Sequence, residues 1–177
     1  MKIGIFAGTF DPVHEGHLAF ATAALAKVDK IIFLPEAKPW RKHNVTSVVH
    51  RKKMLQLATK HEPRFIVTTA PVERFTLDNV LSLLSHKYAP AIFSILLGAD
   101  ALAYLSDWEG IERYWDDVDF IVGRAASADL ASDLPSQIKL QVIHHPELNR
   151  SSSDVRAGVQ PTHAAIADYV RTHEIYT

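Results

Sequence analysis

The chain is predicted to be an α/β protein in which helices flank both faces of a parallel sheet. Short apolar runs alternate with longer helical patterns throughout the sequence, and strand–helix–strand alternation is typical of parallel sheets. The run at 91–97 is almost entirely apolar, as expected for a strand covered on both faces. A length of 177 residues is ordinary for one domain. We therefore expect a single domain over residues 1–177.

The first half of the chain is predicted to contain three strands, each followed by a helix. Gly8 interrupts the apolar run of the first strand, and Pro35 stops the second. Alanine and leucine favour the first helix, and Val80, Leu81 and Leu84 have helical spacing in the third. The predicted strands are residues 2–7, 30–34 and 64–68, a loop occupies 35–46, and the helices are residues 17–27, 48–60 and 76–88.

The second half continues the alternation with shorter helices. Residues 125–136 are small, polar and acidic, which predicts a connection or a poor helix. Ligands of parallel α/β sheets bind beyond the carboxyl ends of the strands, where the strand order reverses. Residues directly after strands are therefore the first candidates for a functional site. The predicted strands are residues 91–97, 119–122 and 139–144, and the helices are residues 99–105, 111–116, 153–158 and 162–173.

The composition excludes several classes of function. Lys plus Arg is 19 and Asp plus Glu is 20, so the chain lacks the basic excess of a general nucleic-acid binder. The absence of cysteine excludes disulfides, zinc–thiolate sites, iron–sulfur clusters and a cysteine nucleophile. No apolar run approaches the ~20 residues of a membrane span, and the first residues indicate a strand and not a signal peptide. We expect a cytoplasmic protein that binds neither membranes nor nucleic acid.

The segment after the first strand indicates an anion-binding turn. Gly8 and Gly16 bracket a turn that leads into a helix, where N–H groups and the helix dipole attract phosphate. Neither the dinucleotide fingerprint nor the P-loop pattern occurs there. His14 and His17 are three positions apart and share one helical face, so both imidazoles can donate to one phosphate. Because a helix N-terminus disfavours imidazolium, at least one is expected to be a neutral donor.

Two other interpretations of this histidine pair remain open at this point. The two histidines can simply cap the helix. They can also bind a metal, but zinc proteases space their histidines four apart in H-E-x-x-H, and the spacing here is three. The flanking Gly8 and the Asp11-Pro12 turn favour phosphate binding.

Two further segments carry polar groups at positions suited to a nucleotide. Ser153 followed by Asp154 is typical of a helix N-cap, and the hydroxyls and N–H groups of a helix start also bind phosphate oxygens. Arg156, one turn later, can clamp the same anion with two N–H groups. Asp100 follows the apolar strand at 91–97 and can accept hydrogen bonds from ribose hydroxyls, or alternatively cap the next helix.

Residues 8–18, GTFDPVHEGHL, resemble the signature of the HxGH nucleotidylyltransferase superfamily, and most of all that of its bacterial nicotinate-nucleotide adenylyltransferase family. The resemblance implies a Rossmann-like domain that transfers AMP from ATP to nicotinate mononucleotide and releases pyrophosphate, a step of NAD biosynthesis. It implies ATP as co-substrate together with Mg²⁺, and nicotinate mononucleotide as the second small-molecule substrate. It also allows a homodimer.

The resemblance further implies roles for individual residues. His14 and His17 would hold the α- and β-phosphates, and Arg41 and Lys42 would neutralise the leaving pyrophosphate, with no metal ligand among the protein side chains. Thr76 and Trp108 would bind the pyridine nucleotide, the indole being a flat platform for the ring. Their structural alternatives are a helix cap and a core position, and a surface position is the alternative for Arg124. The implied nucleotide-binding residues are Gly8, Thr9, Phe10, Gly16, Gly98, Asp100, Arg124, Ser152, Ser153 and Arg156.

The sequence departs from the family pattern after the second strand. The family carries Pro-Pro-His followed by Lys or Arg, whereas residues 38–43 read KPWRKH, which places Arg41 at the histidine position. The segment keeps its positive charge and Trp40 adds bulk, so the departure bears on the choice of acceptor more than on the chemistry. Three alternatives stay open: another acceptor (nicotinamide mononucleotide, phosphopantetheine or a sugar phosphate), an ATP-binding sensor without turnover, and a metal hydrolase built from His14, His17, His43 and His50.

Overall fold

Six strands, six α-helices and two 3-10 helices make up the described structure. The computed structural model describes residues 1–39, 42–70, 76–102, 104–124, 138–146 and 151–176, apart from the side chains of Ala99, Asp100 and Arg124. The strands are β1 (Lys2–Gly8), β2 (Lys30–Pro35), β3 (Phe65–Val67), β4 (Ile92–Gly98), β5 (Asp119–Arg124) and β6 (Leu140–His144). The helices are α1 (Glu15–Ala24), α2 (Val48–Thr59), α3 (Leu77–Tyr88), α4 (Ala99–Leu102), α5 (Ser152–Arg156) and α6 (Ala164–Thr172), with 3-10 helices at Leu105–Asp107 and Ile111–Tyr114.

The six strands form one parallel sheet in the order β3-β2-β1-β4-β5-β6. All six predicted strands are therefore confirmed, as is their parallel arrangement. The order reverses between β1 and β4, because the chain first adds strands on one side of β1 and then returns to the other side. This reversal is where parallel α/β sheets bind ligands.

The pleat of the strands divides their side chains between two hydrophobic cores. In β2, Ile32 and Leu34 belong to one core whereas Ile31 and Phe33 belong to the other, as the two-residue period of a strand requires. Helices α3 and α4 and the 3-10 helices cover the first core, and α1, α2 and α6 cover the second. Both faces of the sheet are covered by helices, as predicted.

Several helix boundaries differ from the sequence-based predictions. Helix α1 begins at Glu15 and not at His17, because the cap lies at His14. The helix predicted over 99–105 is two short elements, α4 and the first 3-10 helix, and the helix predicted over 111–116 is the second 3-10 helix. The segment 125–136 lies outside the described residues. Within the described part of the chain, no helix has both the length and the apolar composition needed to cross a membrane.

Candidate functional site

The site lies at the carboxyl edge of the sheet, where the central strands end side by side. Gly8 at the end of β1 is in register with Pro35 of β2, and Gly98 at the end of β4 is in register with Gly123 of β5. The segment that joins β1 to α1, residues 9–14, is called the β1–α1 turn below. It begins directly beyond the strand at which the order reverses, which is the place where the sequence predicted a ligand site.

The two histidines of the turn are held against each other at the start of α1. His14 is the N-cap residue with an extended backbone, and its N–H donates to Nδ1 of His17 at 3.2 Å. The two imidazole centroids are 3.7 Å apart and the rings are inclined by 32°. Because Nδ1 of His17 accepts a hydrogen bond, the neutral ring carries its proton on Nε2. The capping interpretation and the donor interpretation are therefore compatible: one nitrogen caps the helix and the other can donate to a ligand.

The charge state of His17 is set by its surroundings. Burial lowers its pKa well below the ordinary 6.5, and the nearby charges of His14 and Lys42 lower it further. The ring also packs edge-on against Phe10, with centroids 5.0 Å apart. His17 is thus a neutral hydrogen-bond donor at neutral pH, as the helix dipole predicted.

Glycines and an unusual backbone conformation shape the turn around the histidines. A Cβ at Gly16 would lie 3.1 Å from two atoms of the His14 ring, and one at Gly8 would lie 3.3 Å from the Phe10 ring. Gly16 thus makes room for the His14 ring. Phe10 has a φ of 50°, in the left-handed region that non-glycine residues rarely occupy.

Helix α5 packs against the same turn from the other end of the chain. The hydroxyl of Ser152 donates to the carbonyl oxygen of Pro12 at 2.9 Å, and Nη1 of Arg156 donates to that of Asp11 at 2.5 Å. Nη2 of Arg156 donates to Oγ of Ser153 at 3.1 Å. The structure therefore brings these three predicted site residues to the histidine turn.

The N-cap predicted for this helix was wrong by two positions. Ser151, and not Ser153, is the cap, and its Oγ accepts from the N–H of Asp154 at 3.0 Å. The extended backbone of Ser151 identifies it as the residue at which the helix begins. Ser153 consequently lies in the first turn, where its hydroxyl oxygen accepts from Arg156.

A buried arginine, Arg51, hydrogen-bonds to the β1–α1 turn from α2. The sequence analysis did not place this residue in the site. Arg51 of α2 is only 1% exposed, and its Nε, Nη1 and Nη2 donate to the carbonyl oxygens of Thr46, Thr9 and Glu36, each at 2.7 Å. Burial lowers its pKa, while the carboxylates of Asp11 and Glu36 oppose that shift. The available signal was its spacing: Arg51 precedes Met54 and Leu55 by three and four positions, on the buried face of the helix.

The two residues predicted to bind the pyridine nucleotide, Thr76 and Trp108, lie on the face of the sheet opposite to the one that α1 and α2 cover. Thr76 is the N-cap of α3, and its Oγ1 accepts from the N–H of Asn79 at 3.3 Å, so its structural alternative is realised. Trp108 is partly buried and packs against the core beneath α3. Asp78 in the first turn of α3 accepts from Nη2 of Arg113 at 2.7 Å and from the Tyr114 hydroxyl.

Of the remaining predicted site residues, the structure describes only some. Arg41 and the side chains of Asp100 and Arg124 lie outside the described structure. Lys42 is exposed, near enough to His17 to affect its pKa. Within the described part of the chain, no group of three or more histidine and acidic side chains is placed to hold a metal ion. The alternative metal site from His14, His17, His43 and His50 is thus not assembled.

Comparison with known proteins gives one family model and many relatives. Residues 5–158 match the family model described as cytidylyltransferase-like. A protein of Leifsonia xyli subsp. xyli named "Probable nicotinate-nucleotide adenylyltransferase" is 34% identical over 189 residues, which cover 99% of this chain and 94% of the relative. A protein of the same name from Bacillus licheniformis is 33% identical over 190 residues, which cover 99% of this chain and 98% of the relative.

The fold also matches a solved structure. Plasmodium falciparum nicotinic acid mononucleotide adenylyltransferase complexed with NaAD superposes with a TM-score of 0.81 over 99% of this chain and 97% of that one. The two sequences are 18% identical. The likeness at this identity shows a shared Rossmann-like architecture.

Proposed function

Because the chain belongs to the cytidylyltransferase-like family, together with relatives named as nicotinate-nucleotide adenylyltransferases, we propose that it transfers AMP from ATP to nicotinate mononucleotide. The products are the dinucleotide and pyrophosphate. The observation that carries the proposal is the stacked pair of His14 and His17, with His17 neutral and buried, at the start of α1 beyond the strand-order reversal.

The proposed reaction needs no covalent intermediate on the protein. An oxygen of the acceptor phosphate attacks the α-phosphorus of ATP, and the bond from that phosphorus to the bridging oxygen of the β-phosphate breaks. Catalysis of this kind consists of positioning and of stabilising negative charge. A neutral His17 suits this role, because it donates a hydrogen bond to a phosphate oxygen without delivering its proton.

The phosphate chain of ATP is proposed to lie between the histidine pair and α5. His14 and His17 would hold the α- and β-phosphates, and Ser152, Ser153 and Arg156 the β- and γ-phosphates. A guanidinium has five N–H donors, so Arg156 keeps donors for phosphate beyond those it gives to Asp11 and Ser153. The backbones of Gly8, Thr9, Phe10 and Gly16 would line the same pocket.

The charge on the leaving pyrophosphate is proposed to be neutralised from two sources. One is the basic pair Arg41 and Lys42, of which Lys42 already acts electrostatically on His17. The other is Mg²⁺, which enters with ATP as part of the substrate and commonly stays bound to phosphate oxygens and water.

The acceptor and the nucleoside are proposed to contact the remaining predicted residues. Thr76 and Trp108 would bind the pyridine nucleotide, and Gly98, Asp100 and Arg124 the nucleoside of ATP. A single domain over 1–177, a homodimer and a cytoplasmic location stay predictions.

The experiment that tests the proposal is pyrophosphate release from Mg·ATP with one acceptor added at a time. The acceptors are nicotinate mononucleotide, nicotinamide mononucleotide, phosphopantetheine and a sugar phosphate. Release with nicotinate mononucleotide alone is the expected result. Release with another acceptor would overturn the proposed choice of nicotinate mononucleotide. The segment around Trp40 and Arg41 would then be the first candidate for the changed specificity. ATP binding without release from any acceptor would favour the sensor and overturn the chemistry.

A further inference from the structure

The last residues that the structure describes, up to Tyr176, return to the β1–α1 turn. Helix α6 ends at Thr172, and Ile175 beyond it is buried. Tyr176 then has a φ of 68° and donates its hydroxyl proton to Oδ1 of Asp11 at 2.6 Å, a contact between residues 165 positions apart. Burial and this hydrogen bond raise the pKa of Tyr176, so the hydroxyl remains a donor at every working pH.

Asp11 is the residue at which several segments of the site meet. Its carboxylate is almost fully buried, and Oδ2 accepts from the N–H of Thr46 at 3.0 Å. The carbonyl oxygen of Thr46 in turn accepts from Arg51. The carbonyl oxygen of Asp11 itself accepts from Arg156. One buried side chain thus ties the turn to the loop that follows Lys42, to α2 and, through Tyr176, to the end of the chain.

We propose that Tyr176 is a positioning residue for the adenylyl transfer, an inference that rests on the proposed function. Its hydroxyl holds the Asp11 carboxylate in the orientation that fixes Thr46, and so fixes the distance between the histidine pair and the basic loop at Lys42. Without the hydroxyl, Asp11 keeps Thr46 as partner but is free to rotate about its side-chain bonds. The turn and the loop then lose their common anchor.

A purely structural role is the competing explanation. The Tyr176 hydroxyl lies 3.9 Å from Sδ of Met54, and its ring belongs to the residues packed against the core of α2. On that explanation the ring matters and the hydroxyl does not. Tyr176→Phe separates the two, because it keeps the ring and removes only the hydroxyl, with its hydrogen bonds to Asp11 and to the Thr46 side chain.

The chain offers a matched control on the preceding helix. The Tyr169 hydroxyl of α6 hydrogen-bonds to Nδ1 of His50 of α2 at 2.8 Å, so Tyr169→Phe also removes one hydroxyl contact to α2. That contact does not involve Asp11 or the turn. Both variants are compared with wild type at a temperature where circular dichroism shows all three to be folded.

The expected result is a split between kcat and KM. Small displacements of positioned groups cost large factors in rate, and a hydrogen bond to a buried charged group is among the stronger ones. Tyr176→Phe should lower kcat about tenfold or more, with the KM for Mg·ATP changed by about twofold or less. Tyr169→Phe should leave both constants near wild type. A wild-type kcat in Tyr176→Phe, or equal losses in the two variants, would overturn the inference.

Hydrogen exchange of backbone amides supplies a readout that does not depend on activity. Tyr176→Phe should speed exchange of the Thr46 amide, which donates to Asp11, and Tyr169→Phe should not. If wild type releases no pyrophosphate with any acceptor, the proposed function fails, and this measurement alone decides whether Tyr176 anchors the turn. Unchanged exchange at Thr46 would overturn the anchoring role whatever the kinetics show.

Discussion

The two sides of the site are held in different ways. On the phosphate side, the β1–α1 turn is tied by Arg51, whose side chain is 1% exposed, and by Asp11, which is 2% exposed. On the side where Thr76 and Trp108 lie, α3 is held by its apolar face in the first core, and its polar contacts include the ion pair of Asp78 with Arg113, whose side chains are 43% and 61% exposed. Buried polar contacts lose much when broken, whereas exposed ion pairs contribute little.

The contrast predicts that substitutions near Asp11 and Arg51 cost more stability than substitutions near Asp78. The groups that would stabilise charge on ATP are anchored through backbone carbonyl oxygens, which no side-chain substitution alters. The residues proposed to bind the acceptor are a helix cap, Thr76, and a partly buried tryptophan, Trp108, and the nearby charges of Asp78 and Arg113 are exposed.

Replacing the buried arginine tests the phosphate side most severely. Arg51→Met leaves three partly buried carbonyl oxygens without their donor, and each such group costs an amount at the lower end of about 1–3 kcal/mol. The free energy of unfolding, measured by urea denaturation, should fall by about 3–5 kcal/mol. Lys53→Met, at an exposed position of the same helix, should change it by less than about 0.5 kcal/mol. Equal losses of unfolding free energy in the two variants would show that the buried Arg51 contributes no more to stability than an exposed residue.

Removing the neutral donor tests the chemistry itself. His17→Ala should lower kcat/KM for adenylyl transfer by about 100–1000-fold, the usual effect of losing one preorganised donor. His61→Ala, an exposed histidine beyond the end of α2, serves as control and should retain wild-type kinetics. A His17→Ala enzyme with unchanged kcat/KM would exclude His17 from the reaction.

The pH dependence of the free energy of unfolding tests the charge state of His17. The pKa of His17 is lowered well below 6.5 in the folded state, so the unfolded state binds the proton more readily. The contribution of His17 to stability is therefore complete above about pH 6.5 and is lost as the pH falls below it. Urea denaturation should show a steeper loss of stability towards acid in wild type than in His17→Gln. Parallel curves for the two proteins would contradict the lowered pKa.

The smallest effect is expected on the acceptor side. Asp78→Asn removes the ion pair with Arg113, and because both side chains are substantially exposed to solvent, the free energy of unfolding should fall by less than about 1 kcal/mol. The KM for nicotinate mononucleotide should rise while the KM for Mg·ATP stays the same. The stability difference should also shrink at high salt. A large loss of kcat instead would show that the Asp78 region affects the groups proposed to act on ATP.

Much of the site could be predicted from local sequence. The glycines, the histidine spacing and the position after β1 predicted the β1–α1 turn as the candidate phosphate site, because hydrogen bonding and helix capping act over a few residues. Arg51 escaped a functional assignment, since a charged residue in a helix is usually solvated. Tyr176 carried no local signal at all: a tyrosine near the end of a chain has no feature that indicates a partner at Asp11.

Local pattern therefore accounts for the six strands, their parallel arrangement and the location of the histidine pair. Side-chain period and turn chemistry are properties of neighbouring residues, and the printed sequence contains them. The anchoring of the turn arises only when α2, α5 and the end of the chain pack around it. A buried carbonyl oxygen or carboxylate must find a donor, and folding decides which of the distant donors, Arg51, Arg156 or Tyr176, comes within reach.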